Sequence, residues 1–142
     1  MRALLDVNVL IALLDADHIH HEVARRWLRD NIDEGWATCP LTENGCVRVM
    51  AEPTYPNRVP AHLVAERLRR ATATEHHRFW PDAVSLLRPG VVDWAQQIGP
   101  GEIADIYLLA LAAAHNGRYV TFEARFDLRA VPGATVWSYC LI

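Results

Sequence analysis

The opening stretch Ala3-Leu4-Leu5-Asp6-Val7-Asn8 restricts what this chain can fold into more than any other, because an apolar run ends on a carboxylate within the first few residues. Leu4, Leu5, Val7, Val9, Leu10 and Ile11 form nearly continuous apolar sequence. Such a run suits a strand buried on both faces of a parallel sheet and leading straight into a helix. In open α/β sheets ligands bind beyond the carboxyl ends of the strands, so Asp6 and Asn8 are expected to project into that crevice. The competing reading is that Asp6 only caps the helix that follows.

The same order of strand, acid and helix recurs downstream. Trp36 to Pro40 reads as a second strand closed by proline, and a helix begins at once with Thr42 as its expected cap and Glu43 in its first turn. Glu43 also has a plain reading, as an acid favoured by the helix dipole. Glu102 to Asn116 is the clearest helix, with Ile103, Ile106, Leu109, Ala110 and Ala113 recurring at helical spacing and Gly117 placed for a left-handed cap. Asp105 lies in its first turns on an otherwise apolar surface, which requires a paired, metal-bound or pocket-facing charge. Arg118 to Phe122 reads as a strand with Glu123 at its end, and Thr135 to Tyr139 as the last strand.

Between these elements, the spacing predicts helices over Val9–Leu14, His20–Asn31 and Ala61–Ala73, and a short strand over His76–Pro81 anchored by Phe79 and Trp80. Val23, Trp27 and Leu28 mark the inner side of the second of these helices, and Leu63, Val64 and Leu68 that of the third. Three prolines within residues 52–60 require an irregular loop. His18, His20 and His21 crowd one helix start, but adjacent residues cannot share a helical face, so they read as exposed entry residues and not as a metal site.

A chain of 142 residues fits one domain, 1–142, with a core that needs no disulfide or metal staple. Cys39, Cys46 and Cys140 are odd in number and lack a zinc-like pattern, so they are expected to be buried thiols in a reducing compartment. No apolar run approaches the roughly 20 residues of a membrane helix, and Asp6 and Asp15 interrupt the one stretch that resembles a leader. A cytoplasmic protein is the expectation. The net charge of −3 argues at first against a nucleic-acid partner, but acids gathered around cations would account for it. All 14 basic residues are arginine, whose planar fork suits phosphate, although a compositional bias explains them equally well.

In a parallel sheet Asp6, Glu43, Asp105 and Glu123 fall on one edge, where four carboxylates would repel one another unless a cation neutralised them. Oxygen-only donors select Mg²⁺ or Mn²⁺, and such ions suit phosphate-ester chemistry. A phosphatase or receiver domain with an early strand-end Asp would typically use a lysine, and the chain has none.

With these motifs in place, the strings LLDVNVLIALLD, TENGCVRV, HRFWPDAVSLL and ADIYLLALAAAHNGRYVTFEARF resemble the PIN-domain ribonucleases, specifically the VapC-type toxins of bacterial toxin–antitoxin pairs. The resemblance implies an α/β/α sandwich with a central parallel sheet and a Mg²⁺- or Mn²⁺-dependent endoribonuclease leaving 5′ phosphate ends. It also implies a small VapB-type antitoxin as partner and a homodimer or toxin–antitoxin assembly. Carried over by position, Asp6, Glu43 and Asp105 match the first three acids, with Asp6 and Asp105 the principal metal ligands. Asn8 matches the polar residue after the first acid. Two departures stand out: Glu123 replaces the usual Asp, and Ala104 the Thr that commonly precedes the third acid, with Glu102 beside it as an added carboxylate. Arg48, Arg58 and Arg125 are candidate phosphate contacts by their nearness to these motifs. The alternative is a catalytically weak PIN domain that binds RNA or its antitoxin.

Overall fold

The apolar opening run forms β1 (Ala3–Leu5), and the chain passes through Asp6 directly into α1 (Val7–Leu14) in a computed structural model that describes residues 1–123 and 125–142. There follow α2 (His21–Asp30), β2 (Trp36–Thr38), α3 (Pro40–Ala51), α4 (Ala61–Thr72) and β3 (His77–Phe79). A long irregular stretch then leads to α5 (Ile103–Ala114), β4 (Arg118–Thr121) and β5 (Tyr139–Leu141). The five strands pair in parallel throughout, in the order β3-β2-β1-β4-β5. The expected α/β architecture with a central parallel sheet is therefore present.

Because β1 is central, successive side chains enter two different cores. Ala3 and Leu5 join Val9, Leu10, Cys46, Met50, Val64 and Leu68 beneath α1 to α4, whereas Leu4 joins Ile106, Leu109 and Tyr119 beneath α5. This alternation across a strand makes three layers, helix on sheet on helix. The sheet grows outward from β1 in one direction to β3, and then in the other to β5. That reversal between β1 and β4 is a topological switch point, where the strand ends open a crevice.

Local details correct several expectations. β2 stops at Thr38, and Pro40 takes the first position of α3, where its missing N–H costs nothing. Cys39, not Thr42, is the cap of that helix; the buried Thr42 hydroxyl reaches back to the Cys39 amide at 3.0 Å. The left-handed residue after α5 is Asn116 (φ 52°), not Gly117. Gly117 donates to the Ala112 carbonyl at 2.8 Å and Asn116 to that of Ala113 at 3.0 Å, which makes a Schellman ending. Glycine is required at 117 for another reason, since a Cβ there would stand 2.7 Å from the Arg2 carbonyl. Phe79 is 52% exposed and anchors nothing, while Trp80 is buried and stacks on His115 at 4.1 Å. Val23, Leu63 and Ile103 likewise face solvent. The last strand begins at Tyr139 and not at Thr135, because Thr135 and Ser138 close a turn through their own side-chain and backbone hydrogen bonds. Among the described residues after Glu123 only a short 3₁₀ turn, Leu128–Ala130, precedes the last strand, so the strand–acid–helix order holds at Asp6 and Glu43 but not there.

Two contacts fix how the α1 and α3 ends meet. At Gly45 an added Cβ would fall 2.6 Å from a Val7 methyl, so α3 comes close to the start of α1 only because that position lacks a side chain. Asp15, 6% exposed at the end of α1, accepts hydrogen bonds from the Tyr55 hydroxyl, Asn57 Nδ2 and the Asp17 amide, and so ties the proline-rich loop to α1.

Two outcomes follow. Gly45→Ala sets a gain of about 1 kcal/mol in helix propensity against about 1–3 kcal/mol of overpacking on a stiff β-branched side chain. It should lower the urea midpoint, and an unchanged or higher midpoint would contradict the close approach. Burial raises the Asp15 carboxyl, but the bonds from Tyr55, the Asp17 amide and Asn57 outweigh it and hold the group below the usual carboxylate range. A folded value below the unfolded one stabilises the fold above the unfolded pKa, and that stability is lost as pH falls through the folded value. Asp15→Asn should therefore cost about 1–3 kcal/mol at neutral pH and make the acid loss of stability shallower in denaturation series at falling pH.

Candidate active site

The carboxyl ends of β1 and β4 and the first turns of α5 surround a cleft of about 240 Å³ lined by Asp6, Asn8, Gly101, Asp105, Glu123 and Arg125. Asp6 serves both of its expected readings. Its Oδ1 accepts the Val7 amide at 2.7 Å and so caps α1, while Oδ2 accepts the Thr121 hydroxyl at 2.7 Å from across the switch point. A hydroxyl has one proton and two lone pairs. With its proton given to Asp6, Thr121 accepts from Asn8 Nδ2 at 3.1 Å and from the Glu123 amide at 3.2 Å. One fully buried threonine thus sets three cleft residues.

The other polar atom of the Asn8 amide, Oδ1, is buried with no hydrogen-bond partner among the described residues. Asp105 accepts the Tyr119 hydroxyl at 2.8 Å. Burial pushes its carboxyl above the ordinary value, the Tyr119 bond and Arg125 oppose this, and the Asp6 and Glu102 charges add to it. Glu102 itself accepts the Gly99 amide at 2.7 Å, so the added carboxylate at the mouth is committed to closing a turn. Glu123 is paired with Arg125, both exposed.

The structure does not bring all four acids to one point. Glu43 stands at the same edge but accepts the Thr38 hydroxyl at 2.6 Å and lines a neighbouring cleft of about 300 Å³ with Asn44, Val47, Ala65, Leu68, Arg69 and Thr72. Among the described residues no three His, Cys, Asp or Glu side chains gather tightly enough to enclose an ion. Of the three arginines singled out, only Arg125 lines the cleft of Asp6. Arg48 is exposed and paired with Glu52 at 2.6 Å, one turn on, and Arg58 donates to the Ala51 carbonyl at 3.0 Å. Nearness in sequence misled there because a helix carries Arg48 more than a turn beyond Glu43. Thr121 and Tyr119 are the residues that sequence reasoning passed over. The period-2 alternation of β4 was the available signal, since it puts both side chains on the face that ends at Asp105.

No helix among the described residues is long and apolar enough to cross a membrane. Replacing the Thr121 hydroxyl by a methyl in Thr121→Val should cost about 1–3 kcal/mol, because three polar groups lose their shared partner. The Asp6 carboxylate carbon should shift in NMR spectra; an unmoved Asp6 signal would show that Thr121 does not hold it.

Against known proteins, the PIN domain family model matches residues 3–132. Ribonuclease VapC44 of Mycobacterium tuberculosis is 52% identical over 135 residues, covering 95% of this chain and 95% of the relative. Ribonuclease VapC39 of the same organism is 42% identical over 126 residues, covering 87% and 90%. A crystal structure of VapBC2 from Rickettsia felis bound to a DNA fragment from their promoter superposes with a TM-score of 0.60 over 94% of this chain and 95% of that one, at 13% identity, a likeness of fold. A cleft of acids at the switch point of a five-stranded parallel sheet, together with half-identical sequence along nearly the full length of a VapC ribonuclease, establishes that this chain belongs to the PIN-domain family and to its VapC-type ribonucleases.

Proposed function

We propose that this chain, acting as one domain, is an endoribonuclease toxin that hydrolyses RNA phosphodiesters with Mg²⁺ or Mn²⁺ at the cleft of Asp6, Asn8 and Asp105. The observation that carries the proposal is the meeting of these three with Glu123 in one cleft. The donor set fits a hard cation, being oxygen throughout. Asn8 Oδ1, buried and unpartnered among the described residues, is an oxygen donor that a cation could use. The repulsion between Asp6 and Asp105, felt as an upward push on Asp105, is what a divalent ion would relieve.

Asp6, Asn8 and Asp105 would hold the ion, with Glu43 and Glu123 at its margin, through water or at a second position. When bound, such an ion supplies a more acidic water and charge compensation for the departing oxygen. The chain's own residues do the positioning. Thr121 pins Asp6 and accepts from the Asn8 amide nitrogen, which leaves the amide oxygen unpartnered among the described residues. Tyr119 donates to Asp105 and so favours its ionised form against burial. Arg125 is held at the mouth by Glu123, and its planar fork can exchange that carboxylate for a substrate phosphate. Hydrolysis in this arrangement leaves 5′ phosphate and 3′ hydroxyl ends, as the family resemblance implies.

The partner is a VapB-type antitoxin, and an apolar groove of about 300 Å³ lined by Leu10, Leu13, Leu14, Leu28, Trp36 and Leu68 offers it a surface, one that shares Leu68 with the cleft of Glu43. Assembly as a homodimer or as a toxin–antitoxin complex accompanies this reading.

Purified, antitoxin-free protein incubated with a defined set of structured RNAs should cut at specific sites with Mg²⁺ or Mn²⁺ and stop with chelator. Asp6→Asn and Asp105→Asn should each lower cleavage at least about a hundredfold, the scale of removing one preorganised charge-stabilising group. RNA binding by the folded protein without cleavage at any metal concentration would instead make this a binding module.

A further inference from the structure

Thr38 ends β2 fully buried, beside the one site carboxylate that does not face the Asp6 cleft. Its hydroxyl donates to Glu43 Oε1 at 2.6 Å and lies 2.8 Å from Nε2 of His77 on the neighbouring strand. The direction of this chain follows from proton counting. An ionised carboxylate only accepts, so the single hydroxyl proton goes to Glu43. The Thr38 oxygen must then accept from His77, which places a proton on Nε2.

The rest of the neighbourhood holds the ring in that position. The His77 ring meets Trp36 edge-on at 4.6 Å, and burial, with Arg2 and Arg78 adding to it, lowers the pKa of the ring and so favours a neutral imidazole. Arg2 clamps the same two strands by donating to the Trp36 carbonyl at 3.1 Å and the His76 carbonyl at 2.6 Å. Backbone bonds already join β2 to β3, from Trp36 to His76 at 2.9 Å and from Trp80 to Thr38 at 2.8 Å. The side-chain relay is therefore not needed to pair the strands. What it adds is a fixed direction for a flexible glutamate, whose rotamers would otherwise cost free energy to order.

We infer that Thr38 and His77 are positioning residues that orient Glu43 for RNA cleavage through a His77 Nε2–H to Thr38 to Glu43 hydrogen-bond chain, which rests on the reading of Glu43 as a site carboxylate. Outer partners of this kind commonly change activity 10- to 100-fold when removed, on the order seen around metal ligands. The chain is specific to the order Thr38, Glu43 and His77, so a serine at 38 preserves it and a valine does not.

Two measurements test this. In steady-state cleavage of a defined RNA with Mn²⁺, Thr38→Val and His77→Phe should lower kcat about 10- to 100-fold with KM within about twofold. Thr38→Ser should restore kcat, and Thr38→Val should have no further effect in a Glu43→Gln background. Unchanged kcat in Thr38→Val, or fully additive effects with Glu43→Gln, would overturn the relay. Glu43→Gln retaining full kcat while Asp6→Asn is inactive would instead remove Glu43 from the site and the inference with it. Independently of activity, nitrogen-15 spectra of the metal-free wild-type protein should show neutral His77 as the Nε2–H tautomer, with the ring signals shifting in Thr38→Val and Glu43→Gln and staying close to wild type in Thr38→Ser. An Nδ1–H tautomer would overturn the inference, including for a protein that binds RNA without cutting it.

Discussion

The hydrogen bond from Thr121 to Asp6, 2.7 Å long and joining residues 115 apart, is the interaction on which the site depends. It spans the switch point at which the sheet reverses its order of growth. Asp6 enters the crevice because β1 is buried on both faces and ends there, and Thr121 enters it because β4 pairs with β1 in the register Leu5 to Val120. Any slip of that register by one residue would turn Thr121 away from the carboxylate. Sheet order, register and chemistry are thus one constraint seen at three scales.

Charge at the cleft is managed by neutral donors more than by ion pairs. Asp6 is held by a hydroxyl and a backbone amide and Asp105 by a phenol, and in the neighbouring cleft Glu43 is held by a second hydroxyl. The one arginine among the described residues that line the cleft, Arg125, is exposed and paired with Glu123 at the rim. Neutral donors fix the direction of a carboxylate without cancelling its charge, which leaves the cleft negative. A lysine or arginine inside it would have occupied the same electrostatic role permanently.

Close packing carries this arrangement outward. Gly45 allows α3, which carries Glu43 in its first turn, to approach the start of α1 at Val7, the residue after Asp6. Gly117 allows the turn after α5 to pass over the Arg2 carbonyl, so that β4 can enter beside β1. The Asp15–Tyr55–Asn57 cluster closes the other end of α1 against the loop that leads to α4. Each is a short-range fit on which the placement of a distant acid depends.

Sequence by itself determined the parallel α/β architecture, the family and the edge at which the acids gather, because buried apolar strands followed by acids leave little freedom about which end of a sheet they occupy. It also marked Asp6, Asn8, Asp105 and Glu123, since the alternation of strands and helices carries each to that edge whatever the details. The tertiary structure alone decided which side chains face one another there. It turned Glu43 toward Thr38, gave Asp105 to Tyr119, left Arg48 and Arg58 outside the cleft and moved the left-handed helix ending from Gly117 to Asn116. The physical reason is range: backbone placement follows from local periodicity, but the direction of a polar side chain is set by whichever donor stands opposite it, and those donors lie on other strands.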